Sequence, residues 1–484
     1  MKTNRFIIAF AAMSVCMSLG AQTSFDAGKL YDEELNGTAR YVGMGGAMGA
    51  LGSDPSVISH NPAGIGTYRQ SDINLSLGFF GASVNTDPLV TDAAPGNAFG
   101  RTYYSHNTKS ELGIALDNFS AIFSGSDSGD NYVNFGFSYR KLLNIDRDLD
   151  YCDSFLDGDN YEAWREYRDH QRNKVNSFDF NISCNLSDIL YLGWTMGILS
   201  TDTWSEGYFW DYYGKGMHPD YPNGFDVTAA DKMNQSDGSG WNMAFGMIIR
   251  PFPALRLGAS VKTPTYFKQK LEYTDYLYAF EGRSFLNADG KADPINRSVE
   301  YKFSSPWVLD LSAGITFGKT AIGAEYEKHF TQRSALSIGN TRMNDQGAFD
   351  YKDFSVLKLG LEQNISNLSL RLGYNYRESM FNDTSYPYLG DSEFNKGSTD
   401  DQGNYVPGRM DFQIDRPGKT QYLTGGIGYC SAPDRDGTQF YVDLAYVHGV
   451  KSSSLNVNEL IDDVLYVDYN YKTDKVVFTI GWNF

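Results

Sequence analysis

Apolar and polar residues alternate in short runs along most of this sequence. In the last run, every second residue from Val476 to Phe484 is apolar, and the residues between them are mostly small or polar. A β-strand repeats every two residues, so one of its faces is then wholly apolar. Such a strand suits a barrel wall with lipid on one side and a polar lumen on the other, although a strand of a soluble sandwich alternates in the same way.

The same pattern recurs fourteen times along the chain. The run that starts at Leu368 places Arg371 and Arg377 together on its polar face, and another run places Lys358 between leucines. One segment is less regular, because Asp117 interrupts its alternation. The predicted strands are 71–84, 111–124, 131–144, 174–187, 190–204, 239–250, 254–270, 299–317, 320–331, 352–365, 368–380, 419–430, 438–449 and 473–484.

Short and long connections alternate between these strands. Short turns at one rim and long loops at the other are typical of an outer-membrane barrel, whereas a sandwich or a propeller has no reason to follow this order. We therefore predict an all-β fold, a transmembrane antiparallel β-barrel of about fourteen strands that occupies residues 71–484. The long connections are 85–110, 145–173, 205–238, 271–298, 332–351, 381–418 and 450–472.

The N-terminus predicts export from the cytoplasm. Lys2 and Arg5 precede an apolar stretch from Phe6 to Leu19, and small residues offer a cleavage site after Ala21, or alternatively after Gly20. Residues 1–21 are therefore predicted to be a signal peptide. Together with the barrel pattern, this leader predicts a multi-pass barrel in the outer membrane of a Gram-negative cell, in contact with outer-membrane lipid.

Composition excludes several other classes of protein. The chain has 31 Phe, 34 Tyr and 7 Trp, which is too many for an intrinsically disordered protein. Beyond the leader, no apolar run reaches the roughly 18 to 20 residues that a transmembrane helix needs. A formal net charge of −18 argues against nucleic acid as a partner. Outside the leader, Cys152, Cys184 and Cys430 are odd in number and far apart, which argues against a disulfide framework.

Motifs for chemistry are absent from the sequence. The 6 histidines have no metal-binding spacing, and only His60, beside the Asn61–Pro62–Ala63 turn, invites a test. No nucleophile elbow or phosphate loop occurs, so we predict no catalytic residues, no cofactor, no metal and no enzyme activity. The acidic runs 127–130, 157–160 and 400–404 suit weak calcium binding, but solvated loops explain them better.

Residues 22–70 differ from the rest of the chain because they are rich in glycine. Glycine at this density allows close approach of one backbone to another, as a segment folded inside a narrow lumen requires. A flexible periplasmic leader is the alternative interpretation. Residues 39–51 are too apolar for that alternative, and Asn61–Pro62–Ala63 forms a rigid turn just before the first strand. We therefore predict that 22–70 is an N-terminal lumenal hatch.

The residues of this segment carry a family resemblance. Residues 38–47, which include Gly45 and Gly46, and the motif Asn61-Pro62-Ala63-Gly64-Ile65 look like the hatch of the FadL/TodX family of outer-membrane transporters. The stretch 257–264 and Pro306-Trp307 are similar to later family motifs.

We predict from the strand and loop pattern that the barrel is a monomer, and the resemblance implies that it imports hydrophobic compounds such as fatty acids or aromatic molecules. It also implies a hatch gated by Asn61, Pro62, Ala63, Gly45 and Gly46, and ligand exit sideways near a kink in the third strand. That strand, predicted at 131–144, contains no proline, so the sequence does not reveal the kink. The final strand, which ends at Phe484, resembles the signal through which barrel-assembly machinery recognises such proteins.

Two of the predicted long connections are crowded with aromatic residues. In 205–238 and 271–298, such side chains suit an apolar landing site for a hydrophobic ligand, although an aromatic girdle or loop packing explains them equally well. The predicted ligand-binding residues are Phe209, Trp210, Tyr213, Tyr276 and Tyr278.

The sequence supports two functions from different classes. The first is passive, hatch-gated uptake of small hydrophobic molecules through an outer-membrane channel. The alternative is a FadL-like barrel that serves as the protein-interaction component of a secretion or surface-assembly system, since a fold alone does not fix function. Co-purification distinguishes the two hypotheses, because a stoichiometric protein partner without a bound lipid-like ligand would favour the alternative.

Overall fold

The computed structural model describes most of the chain. The predicted signal peptide, 1–21, and the acidic runs 127–130, 157–160 and 400–404 lie outside the described residues. None of the described helices is long and apolar enough to cross a membrane. The described residues are 28, 30–86, 107–109, 112–126, 131–156, 162–213, 225–281, 284–285, 295–338, 341–342, 351–381, 398–399, 405–406, 413–458 and 464–484.

Fourteen antiparallel strands close into a barrel, which confirms the predicted fold class and strand number. Each strand pairs with its neighbours in sequence, and the first pairs with the last from Asp72 opposite Asn483 to Thr86 opposite Tyr469. Closure pairs the two edges that an open sheet would expose to lipid. The strands are β1 Asp72–Thr86, β2 Gly113–Ser126, β3 Tyr132–Leu156, β4 Glu162–Leu186, β5 Leu190–Tyr213, β6 Phe225–Phe252, β7 Leu255–Lys262 with Tyr266–Glu281, β8 Ile295–Ser304 with Val308–Phe317, β9 Thr320–His329 with Ala335–Ile338, β10 Phe354–Ile365, β11 Leu368–Arg377, β12 Gln413–Cys430, β13 Gln439–Asn458 and β14 Val464–Asn483.

Short elements accompany the barrel. A 3₁₀-helix, Thr331–Arg333, interrupts β9, and a two-stranded ladder stands apart from the wall. The ladder consists of Ser398–Thr399 and Tyr405–Val406. The other short strands are Asn107–Lys109, Ser284–Phe285 and Thr341–Arg342.

The lipid-facing side of the wall follows the predicted alternation. In β10, Leu357, Leu359 and Leu361 are 38 to 44% exposed, whereas Lys358 between them is only 3% exposed. In β14, Val477 and Thr479 are completely buried, so the alternate residues, including the half-exposed Trp482, face outward. Arg371 and Arg377 are buried together on the inward side of β11, as their spacing predicts.

Strands on one side of the barrel extend far beyond their predicted ends. β3 and β4 pair up to Leu156 opposite Glu162, and β5 and β6 pair up to Tyr213 opposite Phe225. The prediction that 145–173 and 205–238 are loops was therefore wrong for most of their length. Beyond the membrane, backbone pairing continues without a need for an apolar face, so the sequence pattern ends before the strand does.

The N-terminal segment lies inside the barrel. Residues 30–70 of this segment, the inner segment, form helix α1 Ala39–Gly43 and the 3₁₀-helices Pro55–Ser59 and Pro62–Thr67. Most of these residues are buried against wall strands, and Val42, Val57 and Ile65 are completely buried. The segment packs on β12 and β13 through α1 and on β4 to β6 through its last helix.

Candidate functional site

Local capping residues shape the inner segment. Thr38 accepts a hydrogen bond from the backbone N–H of Tyr41 and begins α1, and Asp54 caps the next helix in the same way. Asn61 accepts from the Ala63 N–H at 3.2 Å, while Pro62 fills the first helical position, where no N–H is needed. The Asn61–Pro62–Ala63 motif is thus a helix start, and its role in gating stays a prediction.

This motif rests against glycines of the wall. A Cβ atom at Gly246 of β6 would meet the ring nitrogen of Pro62 at 2.9 Å, and Gly193 of β5 touches the same proline. The Asn61 amide donates to the Met247 carbonyl at 3.4 Å. Since a larger wall residue would displace the turn, glycine at both positions is required by close approach of the backbones.

A row of four glycines supports the first half of the segment. Gly314, Gly323, Gly360 and Gly373 lie directly opposite one another on the neighbouring strands β8 to β11. A Cβ at Gly360 would lie 2.5 Å from the carbonyl oxygen of Met44, and Gly323 and Gly373 approach the backbone of 45–47 even more closely. The row forms a shallow groove in which the segment backbone is seated.

Gly45 and Gly46 supply the backbone conformation for this groove. Their φ angles are +62° and +81°, in the left-handed region that only glycine adopts readily. The Gly45 carbonyl accepts a hydrogen bond from the Asn375 amide of β11 at 3.2 Å. Gly45 therefore lies at the contact between segment and wall, while Gly46 packs against Leu35 and Tyr41 within the segment.

Cations of the wall hold the acidic start of the segment. Lys451 of β13 pairs with Asp32, and Lys262 of β7 lies 3.1 Å from Glu33. Burial alone would raise the pKa of Glu33, but the nearby cations Lys262 and Arg377, together with the His60 ring, outweigh it and hold that pKa at about 2, below the ordinary 4.5. Glu33 is therefore firmly ionised at neutral pH.

On the side of the segment toward the long loops, apolar side chains fill the lumen and form what we call the upper cluster. The segment contributes Leu30 and Tyr31 to it, and aromatic rings from several strands complete it. Phe267 and Phe303 stack with centroids 6.1 Å apart, and the Arg377 guanidinium lies 4.8 Å from the Phe354 ring. The members are Leu30, Tyr31, Leu142, Leu143, Val175, Leu199, Phe267, Leu271, Tyr301, Phe303, Val308, Leu336, Tyr351, Phe354, Val356, Met380 and Phe381.

Three adjacent strand breaks turn these aromatic residues inward. Ser260 of β7, before the break at Thr263–Pro264, faces the lumen. Phe267, after the break, also faces the lumen, although Ser260 and Phe267 are an odd number of residues apart. Because strand residues alternate sides, each break exchanges the inner and outer sets. β8 and β9 change in the same way, and the Ser305 N–H donates to the Thr265 carbonyl at 3.0 Å across two breaks.

Sequence reasoning missed the upper cluster, yet a signal was present. Beyond the breaks the outward positions are charged, as at Lys268 and Lys302, while the alternate positions are aromatic, as at Phe267 and Phe303. An alternation that reverses polarity after a proline indicates a strand that has left the membrane and lines an apolar interior.

Among the described residues, the pairing between β2 and β3 has a gap, which we call the lateral window. Their described pairing ends at Asn118 opposite Arg140. Directly above this pair, Asp117 bulges from β2 and Leu142 bulges from β3. The predicted strand interruption at Asp117 is therefore a β-bulge, and the two bulges separate the strands. The strand Asn107–Lys109, which lies near β3, bounds the window above.

The inner segment fills the window from inside. The Glu34 N–H donates to the Leu142 carbonyl at 2.9 Å, and the Asn144 N–H donates to the Glu34 carboxylate at 3.0 Å. Outside, Leu112 and Ile114 of the β2 edge are 75% and 67% exposed. The window thus joins the upper cluster, through Leu142, to an apolar outer surface.

The predicted ligand-binding aromatics lie on strands rather than in loops. Phe209, Trp210 and Tyr213 belong to β5, and Tyr276 and Tyr278 belong to β7. Register places Trp210 and Tyr278 on either side of Thr228 of β6. The side chains of all five lie outside the described part of the structure, so their role in binding stays a prediction.

A polar cavity of about 480 Å³ lies beneath the segment, at the short-turn end. Its lining includes Arg40, which forms two hydrogen bonds with Glu362 at 2.9 and 3.0 Å, and Arg371, which donates to the same carboxylate at 2.7 Å. These paired charged groups contrast with the aromatic side chains of the upper cluster. The two ends of the lumen therefore differ sharply in polarity.

The chain is similar to solved structures of FadL-type and TodX-type barrels. The chain resembles a FadL homologue of Pseudomonas aeruginosa with a TM-score of 0.57 and 13% identity over 93% of this chain and 99% of that one. It resembles the toluene transporter TodX of P. putida with a TM-score of 0.58 and 13% identity over the same shares. It resembles the CymD monoaromatic hydrocarbon channel with a TM-score of 0.51 and 15% identity over 92% of this chain and 97% of that one.

No family model matches the sequence, and no curated protein matches it. At such low identity the likeness concerns the fold, and it confirms that the chain has the architecture of the FadL and TodX outer-membrane barrels over most of its length.

Proposed function

We propose that this protein is a passive outer-membrane channel through which small hydrophobic compounds enter a Gram-negative cell. The observation that carries the proposal is the upper cluster, an apolar interior that adjoins both the inner segment and a lateral window. Enzymes need converging reactive groups, whereas this interior offers burial of apolar surface. The structural likeness to the toluene transporter TodX and to the monoaromatic hydrocarbon channel CymD supports the same conclusion.

Apolar burial drives capture in this proposal. A ligand that buries about 250 Å² of apolar surface gains roughly 6 kcal/mol, equivalent to a dissociation constant of about 40 µM before the cost of association. Leu30 and Tyr31 of the inner segment already occupy part of this apolar space. A ligand that replaces them loosens the start of the segment, and the segment then acts as the hatch.

The window offers an exit for such a ligand. Below the upper cluster, the segment seated on the glycine row and the polar cavity both oppose movement of an apolar molecule toward the periplasm. Sideways, Glu34 and Asn36 of the segment donate hydrogen bonds to the Leu142 carbonyl at the edge of the cluster, and Leu112 beside β2 is exposed. Release into the bilayer follows the concentration gradient, so no energy source is needed.

Uptake by intact cells tests the proposal. A strain that lacks the protein is compared with the same strain carrying the wild-type gene, and entry of labelled oleate and toluene is measured. We expect faster entry of at least one apolar class with the wild-type protein and equal entry of a small polar sugar. Equal rates for every apolar compound would refute the channel, and a stoichiometric protein partner retained in detergent would favour the interaction component instead.

A further inference from the structure

A cluster of buried charges joins the inner segment to the wall. Glu325 and Glu327 of β9, Lys358 of β10 and Asp310 of β8 are each 2 to 6% exposed. His60 of the segment lies beside them, with its Nδ1 atom 3.2 Å from Glu327 Oε1. The cluster stands outside the upper cluster and the window, so the proposed function does not use it.

Hydrogen bonds within the cluster satisfy two of the three carboxylates. Lys358 Nζ lies 2.7 Å from Glu325 and 2.5 Å from Glu327, and the Gly49 N–H donates to the other Glu325 oxygen at 2.8 Å. His329 Nε2 is 3.2 Å from the second oxygen of Glu327. These contacts fix both glutamates in place.

Asp310 is the exception. Within the described part of the chain no amide, hydroxyl or charged donor reaches either of its oxygens, its nearest polar contact is the Glu325 carboxyl group, and the residue is only 2% exposed. Register places Asp310 directly opposite Glu327, and the charges nearest to it are those of Glu325, Glu327 and Lys358. The carboxylate therefore points into a site that already holds two others.

Charge and donor type together indicate the missing partner. Three carboxylates and one lysine leave two negative charges uncompensated, and buried charges need a counter-charge. One nitrogen of His60 and one oxygen from each of Glu325 and Glu327 lie within 4.8 Å of one another, close enough for a single ion. Imidazole with carboxylates suits zinc and similar transition metals, whereas calcium and magnesium prefer oxygen ligands alone.

We infer that His60, Glu325 and Glu327 bind one divalent transition-metal ion, which fastens the inner segment to the wall, and that the neighbouring Asp310 adds negative charge to the site. Stacking on Tyr41, with centroids 5.7 Å apart and planes at 24°, holds the His60 ring toward the site. Lys358 remains as a second, fixed cation that aligns the glutamates and weakens the metal by repulsion. The sequence shows no metal spacing because the ligands come from β9 and the segment.

Metal binding to the purified full-length protein tests this inference. After treatment with a chelator, Zn²⁺ is titrated by calorimetry and the bound metal is counted after dialysis. We expect one ion per chain, retained in excess Ca²⁺, with at least tenfold weaker binding in Asp310→Asn and Glu327→Gln. Lys358→Met should bind more tightly, because it removes a competing positive charge.

Two further variants keep the test decisive. Glu362→Gln changes an equally buried carboxylate that is paired with Arg40 and Arg371, and it should bind Zn²⁺ as the wild type does. His60→Gln alters only a partly exposed segment residue, so it should fold and yet bind at least tenfold more weakly. Migration of unboiled samples on gels verifies folding of each variant. No bound zinc in the wild type, or equal zinc binding in all folded variants, would overturn the inference. Protons bound to the buried carboxylates would then compensate their charge.

Discussion

Gly360 of β10 lies against Met44 of the inner segment so closely that a Cβ atom at Gly360 would be 2.5 Å from the Met44 carbonyl oxygen. Both partners in this contact are backbone, so neither can move without shifting a strand or the segment. The position of the segment therefore depends on the absence of a single methyl group.

Replacement of Gly360 by Ala should loosen the segment and make the barrel leaky. We expect a higher single-channel conductance and faster entry of small polar solutes, because the new methyl group displaces the backbone at Met44. Gly425→Ala is the control, since the nearest atoms to a Cβ there are 3.8 Å away. Unchanged conductance in folded Gly360→Ala protein would mean that the segment does not restrict the lumen.

Two double variants show whether the ligand is captured by the upper cluster or by the predicted landing site at Phe209 and Trp210. Phe267→Ala with Phe303→Ala removes stacked rings inside the lumen, and Phe209→Ala with Trp210→Ala removes aromatic area on β5. We expect uptake of apolar compounds to fall at least fivefold in the first, because apolar area controls capture. Loss of uptake only in the Phe209 and Trp210 variant would identify the landing site as the capture site. Thermal unfolding of both variants is the control, because each truncation of a buried ring costs roughly 3 kcal/mol of stability.

Deletion of Leu142 should close the lateral window. Without this residue, Lys141 and Leu143 become neighbours opposite Asn176 and Val175, so the bulge in β3 disappears. We expect uptake of apolar compounds to be lost while the barrel still folds. Leu142→Ala retains the bulge and should retain most of the uptake. Normal uptake by the deletion variant would show that ligands leave by another route.

Acid should weaken the hold on the start of the segment. The pKa of Glu33 is about 2 in the folded protein and about 4.5 when unfolded, so the folded state binds fewer protons between these values. Its contribution, about 3 kcal/mol, is complete above pH 4.5 and is lost as the pH falls toward 2. Glu33→Gln should therefore unfold at a lower temperature than the wild type at pH 6, and the difference should shrink at pH 3. A difference that grows in acid would contradict the ion pair with Lys262.

Much of the fold could be predicted because the membrane imposes a local rule. Lipid on one side of each strand demands an apolar residue at every second position, so Leu357, Leu359 and Leu361 reveal both the strand and its outward face. The inner segment also carries local signals, since glycines and the Asn61–Pro62 turn depend only on backbone geometry. The number of strands, their order and the outward face were therefore readable from the sequence by itself.

The tertiary structure alone decided the chemistry of the interior. Strand breaks at Thr263–Pro264 and in two neighbouring strands bring Phe267 and Phe303 together, and two bulges in different strands coincide at the window. His60 and Glu327 meet although 267 residues separate them. Inside a barrel, no solvent imposes a pattern on such residues, and their neighbours depend on register between strands, which no local alternation records.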